Sequence, residues 1–119
     1  MDAGAKKLDL ISRLLSASTL RSQVIAGNLA NSNTPGFVRK EVQFEDQLRT
    51  ALKQSDRLAS GVSPNVQDDL TEPKRPDGNN VSMETEMNAM RENRLTYETY
   101  ATILEGHFGL MDAAIRDGR

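Results

Sequence analysis

The stretch METEMNAMRENRLTYETYATILEGHFGLMDAAIR, residues 83–116, decides the fold. Within it Met83, Met87, Met90, Arg94, Tyr97, Ala101, Leu104, Phe108, Met111 and Ile115 follow at steps of four and three without a break. Only Arg94 interrupts the apolar character. Such steps put side chains on one stripe of a helix, and a run of this length is the a/d pattern of a coiled coil. Ser82 is the expected N-cap, and Glu84 and Glu86 stand in the first turn, where the helix dipole favours negative charge. Arg116 falls in the last turn and Gly118 ends the helix. Gly106 and Gly109 lie inside it, and each weakens it by about 1 kcal/mol relative to Ala. Their use is close approach by another helix or a local bend.

Upstream, residues 58–80 carry Gly61, Pro64, Pro73, Pro76 and Gly78 among charged side chains. Pro and charge dominate, apolar residues are few, and the segment reads as a flexible loop. Asp77-Gly78-Asn79-Asn80 is a tight polar turn. Residues 37–57 are mixed. Phe37, Val38, Val42 and Phe44 suggest a short extended piece, and Phe44, Leu48, Ala51 and Leu52 a short helix ending before Arg57. Residues 8–31 are helical: Leu8, Ile11, Leu15, Ser18, Ser22, Ile25 and Leu29 form one stripe, with Leu10, Leu14, Ala17 and Val24 beside it. The middle of the stripe is small, so another backbone can come close there. Thr34-Pro35-Gly36 stops the helix, because proline drives the residue before it out of the α region and Gly36 suits a positive φ.

The expected fold is all-α: two long terminal helices in an antiparallel coiled-coil pair, joined by an irregular middle with a short extended piece or short helix. Residues 1–57, 58–80 and 81–119 are its three parts, together one domain. Apolar residues make up 37% of the 119 and aromatics 4%, with no Trp, which is thin for an independent core. The long stripe therefore needs partners.

Composition also limits function. A net charge of −2 excludes a strongly basic nucleic-acid binder. Residues 1–31 carry four basic and two acidic groups and residues 81–119 four and seven. That asymmetry suits antiparallel or head-to-tail packing, and equally suits solvated helix faces. There is no cysteine, hence no disulfide or thiolate chemistry. No run of about 18 apolar residues is present to span a bilayer. Met1 to Leu15 lacks the pattern of a Sec-type signal peptide, so export, if it occurs, takes another route. His107 is the one histidine; without a second His or a Cys, a structural role is the default over a metal site. No nucleophile turn or glycine-rich phosphate loop accompanies it, and no catalytic residues, cofactor or small-molecule substrate are expected. Glu84 and Glu86, two apart on a helix, do not face each other as a catalytic pair would. Met83, Met87 and Met90 read as core packing or as an adaptable groove, and the two readings merge when a core is shared between chains.

The run Asn28-Leu29-Ala30-Asn31-Ser32-Asn33-Thr34-Pro35-Gly36-Phe37 is more specific than a helix stop requires. It resembles the signature of the flagellar rod, hook and hook-associated axial proteins. A second block, Asp77-Gly78-Asn79-Asn80-Val81-Ser82-Met83-Glu84-Thr85-Glu86-Met87, resembles the segment before the C-terminal helix of the proximal rod members of that family. So do Glu92-Asn93, Tyr97 and the ending Gly106 to Met111. Phe37 stands where many relatives have Tyr, and Ser82 where many have Asp. The resemblance implies a structural subunit of the basal-body rod in the periplasm. It implies export through the flagellar type III apparatus without a cleaved signal peptide, and helical polymerisation with other copies. It further implies contact with other rod proteins, the adaptor protein FliE, the MS ring and the export gate. The assembly contacts expected are Leu8, Ile11, Leu15, Ile25 and Leu29 with the C-terminal stripe. A soluble helical-hairpin module, such as a chaperone or regulator of axial proteins, shares the helices and is the alternative, as is another short rod protein.

Overall fold

The computed structural model describes residues 3–118. Its elements are α1 (Ala3–Ala30), β1 (Lys40–Gln43), α2 (Glu45–Gln54), α3 (Asp56–Ser60), β2 (Asn65–Asp68) and α4 (Met83–Asp117). The molecule measures 67 × 28 × 14 Å, with a radius of gyration of 18.2 Å. A compact chain of this length has a radius of about 13–14 Å. The elongation comes from α4, whose 35 residues span about 52 Å.

The two long helices pack on each other. Ser18 meets Asn93, Ser22 meets Met90 and Asn28 meets Glu86, so numbers rise on α1 as they fall on α4. From Ser18 back to Ala3 is fifteen residues, and fifteen forward from Asn93 is Phe108. At equal rise the last turns of α4 therefore extend past the described part of α1.

The seam between the helices is not the stripe read from the sequence. Met83, Met87, Tyr97, Phe108, Met111 and Ile115 are all exposed, Phe108 by 50%, and Met90 and Leu104 are half-buried. The buried residues of α4 are instead Glu86, Asn93 and His107. These lie one position before Met87, Arg94 and Phe108, so the helix is turned by about 100° from the expected face. The reason lies on α1. Ser18 is small enough to admit Asn93, and Ser18 Oγ donates to Asn93 Oδ1 at 2.9 Å while Asn93 Nδ2 donates to the Ser18 carbonyl at 2.8 Å. Of the α1 stripe, Ile11 and Ile25 are buried and Leu8, Leu15 and Leu29 half-buried.

The second α1 stripe carries the apolar core. Ala17, Phe44, Leu48 and Ala59 form its centre, with Leu10, Leu14, Ala51 and Val62 packed around them. Arg13 stacks over the Phe44 ring at 5.7 Å and donates to the Ala59 carbonyl at 2.8 Å and to that of Val62. Arg21 holds Glu45 with both forks, at 2.6 and 2.7 Å, and so fixes the start of α2 on α1. The Glu45 carboxyl sits below its ordinary range because Arg21 donates to it, a gain that outweighs burial.

The middle of the chain meets expectation in its first part and departs from it in its second. Residues 37–57 contain both the extended piece and the short helix. Residues 58–80, expected as loop, contain β2, so the fold is mostly helical with a two-stranded antiparallel sheet rather than all-α. Lys40 pairs with Asp68, Glu41 with Gln67, Val42 with Val66 and Gln43 with Asn65. The strand has one apolar residue, Val66, and that one is exposed, so no buried alternation marked it. Its order comes from backbone pairing with β1.

Phe44 is 1% exposed and stands at the junction of α1, α2 and α3. Phe44→Ala is expected to lower the unfolding free energy by about 3–5 kcal/mol, measured by urea titration followed by circular dichroism. A loss under about 1 kcal/mol would show that the cluster is not the core.

Candidate assembly surface

The two sequence blocks fold into one structure. At the end of α1, the Asn31 N–H and Nδ2 both donate to the Gly27 carbonyl, at 3.1 and 2.9 Å, and Thr34 Oγ1 donates to Asn31 Oδ1 at 3.1 Å. The chain then turns through Pro35 and through Gly36, which has φ 75°. The second block lies against this turn. Asn79 Nδ2 donates to the carbonyls of Asn31 and Thr34, both at 2.9 Å, while Asn79 Oδ1 accepts from Val81 N–H at 2.7 Å. Gly36 N–H donates to the Asp77 carbonyl at 2.8 Å and Asn80 N–H to that of Phe37 at 3.3 Å. Arg75 reaches across to the carbonyls of Ser32 and Val81. Asn79, Asn80 and Val81 are buried and Asp77 exposed. The two turns touch: a Cβ on Gly78, whose φ is 86°, would sit 3.3 Å from Gly36 Cα.

Asn28 does not cap the helix end. It is fully buried and pairs with the backbone of Lys40: its Nδ2 donates to the Lys40 carbonyl and its Oδ1 accepts the Lys40 N–H, both at 2.9 Å. The amide thus fixes where β1 begins. Its Nδ2 also lies 3.2 Å from Glu86 Oε2. Glu86 is fully buried, and Arg39 Nε donates to its Oε1 at 2.6 Å. Arg39 continues to Asp69, and its backbone N–H donates to Asn80 Oδ1 at 2.6 Å. Asn80 Nδ2 closes the circuit on the Asp69 carbonyl at 2.7 Å. The chain Asn28–Glu86–Arg39–Asp69–Asn80 therefore ties α1, β1, the segment after β2 and α4 together.

Charge in this network is compensated. Burial lowers the Arg39 pKa, but its bonds to Glu86 and Asp69 outweigh that, and the net shift is upward. The Asp69 carboxyl lies below its usual range, chiefly because the Thr71 hydroxyl donates to it; burial opposes this, and Thr71 N–H and Arg39 assist.

Leu29 is half-buried, Ala30, Thr34, Pro35 and Gly36 are exposed, and Phe37 is half-buried beneath Lys40, whose Nζ is 5.9 Å from the ring centroid. Sequence reading missed Arg39, Asp69 and Arg75. The local signal, for the two arginines alone, is that Arg39 lies two residues after the first block and Arg75 two residues before the second. It also assigned Glu86 to the helix dipole, whereas its carboxylate serves as the acceptor for Arg39. His107 is buried with Nε2 unpartnered among the described residues. Among those residues no group of three His, Cys, Asp or Glu could hold a metal, and no helix is long and apolar enough to cross a membrane.

Known proteins match most of the length of this chain. A flagellar basal body rod protein FlgB from Borrelia hermsii is 30% identical over 128 aligned positions, covering 92% of this chain and 95% of its own. The chain belongs to the FlgB family of flagellar basal body rod proteins. Membership makes it a structural component of that rod. FlgB proteins of Yersinia enterocolitica and Aquifex aeolicus are 28% and 26% identical, covering 82% and 92% of this chain and 85% and 92% of their own. No family model matches the chain.

Two outcomes test the geometry. Gly78→Ala places a Cβ at positive φ against the Gly36 turn. It is expected to lower stability by at least about 1–2 kcal/mol, read from the denaturation midpoint, and Gly61→Ala, at negative φ, far less. Asp69 has a folded pKa below its unfolded value of about 4. Its contribution is therefore complete above that value and fades as pH falls through the folded pKa. Asp69→Asn should be less stable than the parent at pH 7, with the gap narrowing below about pH 4. Thermal melts from pH 7 to pH 3 that keep a constant gap would refute the charge assignment.

Proposed function

We propose that the chain polymerises into the proximal rod that joins the MS ring and export gate to the drive shaft. The carrying observation is the open face of α4. Met83, Met87, Tyr97, Phe108, Met111 and Ile115 form a stripe at coiled-coil spacing, and all are exposed in the single chain. Apolar side chains in such a row are characteristic of a helix seam. In this reading α1 and α4 form an antiparallel coiled-coil pair in the assembled rod. Polar side chains hold the two together, and the a/d stripe of α4 meets neighbouring subunits, with Leu8, Ile11, Leu15, Ile25 and Leu29 supporting it from α1.

The joined blocks then have a mechanical role. Asn28, Asn31, Thr34 to Phe37 and Asp77 to Val81 lock the base of α4 to the end of α1, so that force on one helix is carried to the other. Residues 1–57, 58–80 and 81–119 work as one rod-core domain. The chain crosses the inner membrane through the flagellar type III apparatus without a cleaved signal peptide. Besides other copies, its partners are the other rod proteins, the adaptor protein FliE, the MS ring and the export gate. It has no catalytic role. The long apolar stripe of α4 supports assembly over a free-standing chaperone or regulator.

Phe108→Asp tests the shared seam. Phe108 is half exposed in the single chain, so the variant should keep its helical circular dichroism. It should nevertheless fail to enter isolated basal bodies and leave cells non-motile, because assembly would bury an unpaired carboxylate. Wild-type swimming with normal incorporation would sink the idea.

A further inference from the structure

A second feature concerns how one copy meets the next, and rests on the rod reading above. Between the first turns of α1 and the α2–α3 corner lies a groove of about 490 Å³. Leu10, Leu48 and Leu52 give it an apolar floor and wall, and Lys6, Lys7 and Arg57 stand on its rim. Its lining holds four basic and two acidic side chains, Asp9 and Asp56 being the acids. Lys6 is engaged with Asp56 at 2.9 Å, and Arg13 with the Ala59 and Val62 carbonyls. Lys7 and Arg57 have no ion-pair partner among the described residues. The lining comes from α1, α2 and α3, so the chain's own α4 does not fill it.

The end of α4 has the complementary character. Beyond the reach of α1 it carries Leu110, Met111 and Ile115, exposed by 72%, 47% and 60%. Among the described residues Glu105, Asp112 and Asp117 make this end acidic against Arg116, which is held by Asp112 at 3.1 Å, and counting Arg119 from the sequence the end still keeps one net negative charge. A net positive apolar groove and a net negative apolar helix end match in both charge and hydropathy.

We propose that the groove receives the last turns of α4 from a second copy of this chain. Leu110 and its neighbours enter over Leu52, and Lys7 and Arg57 meet Asp112 and Asp117. The two surfaces are different, so the contact is heterologous and propagates from copy to copy instead of closing on a pair.

The chain has no cysteine, which makes a cross-link decisive. Leu52→Cys and Leu110→Cys, introduced together in the full chain and oxidised in isolated basal bodies, should give a ladder of covalent multimers, and neither alone should. Dimers only, or monomers from cells that swim normally, would overturn the proposal while leaving the rod role intact. Absence of the wild-type chain from basal bodies would overturn the rod reading instead. A charge exchange decides the matter if the cysteine pair blocks assembly. Lys7→Glu with Arg57→Glu, or Asp112→Lys with Asp117→Lys, should each reduce incorporation by at least about tenfold. All four together in one chain should restore it. Basic residues at a helix C-terminus and acidic ones near its start suit the dipole, so the exchanges leave the helices intact. Additive loss with no rescue would overturn the contact.

Discussion

Glu86 has no exposed surface, and the rest of the fold depends on how its carboxylate is satisfied. A buried carboxylate without partners costs several kcal/mol. Here Arg39 donates to one oxygen and Asn28 to the other. Both partners are themselves fixed, Asn28 by the backbone of Lys40 and Arg39 by Asp69 and Asn80. Glu86 reaches this site only if α4 is turned to face α1 with its polar edge. That turn brings Asn93 onto Ser18 and leaves the apolar stripe outside. The orientation of the long helix, and hence which of its faces is exposed, follows from one buried charge.

Such a seam serves specificity more than stability. An apolar seam between α1 and α4 would be equally compact, but it would have many near-equivalent registers. Asn93 against Ser18 and Glu86 against Arg39 and Asn28 fit in one register only, since a slip by a turn would leave buried polar groups unpaired. Apolar surface is thereby left exposed along α4. This also resolves the thin composition: the core made of Ala17, Phe44, Leu48 and Ala59 is small because much of the apolar content of α4 faces outward.

The joined blocks add a second constraint. Asn79 adds a second hydrogen bond to each of two turn carbonyls just past α1, those of Asn31 and Thr34, which already accept the N–H groups of Thr34 and Phe37. Gly36 and Gly78 permit the two turns to touch, and each has a positive φ that other residues adopt only with strain. With the Glu86 site, the joined blocks form a polar network at the root of the longest helix. Its hydrogen bonds join α1, the start of β1, the segment after β2 and α4.

Much of this was legible from sequence alone. Both long helices follow from step-of-three-and-four patterns, and the stop of α1, at Ala30, follows from Thr34-Pro35-Gly36. Ser82 caps α4 as its side-chain chemistry dictates, accepting from Thr85 N–H. The Asn28–Phe37 run pointed to the family. These features depend on residues close in the chain, so local chemistry determines them. Tertiary structure alone decided that Val66 and its neighbours form a strand, that Glu86 and Arg39 meet 47 residues apart, and which face of α4 is buried. Periodicity reports that a helix has an apolar stripe. It does not report whether that stripe turns inward or outward, because the choice is made by polar partners that only the folded chain brings together.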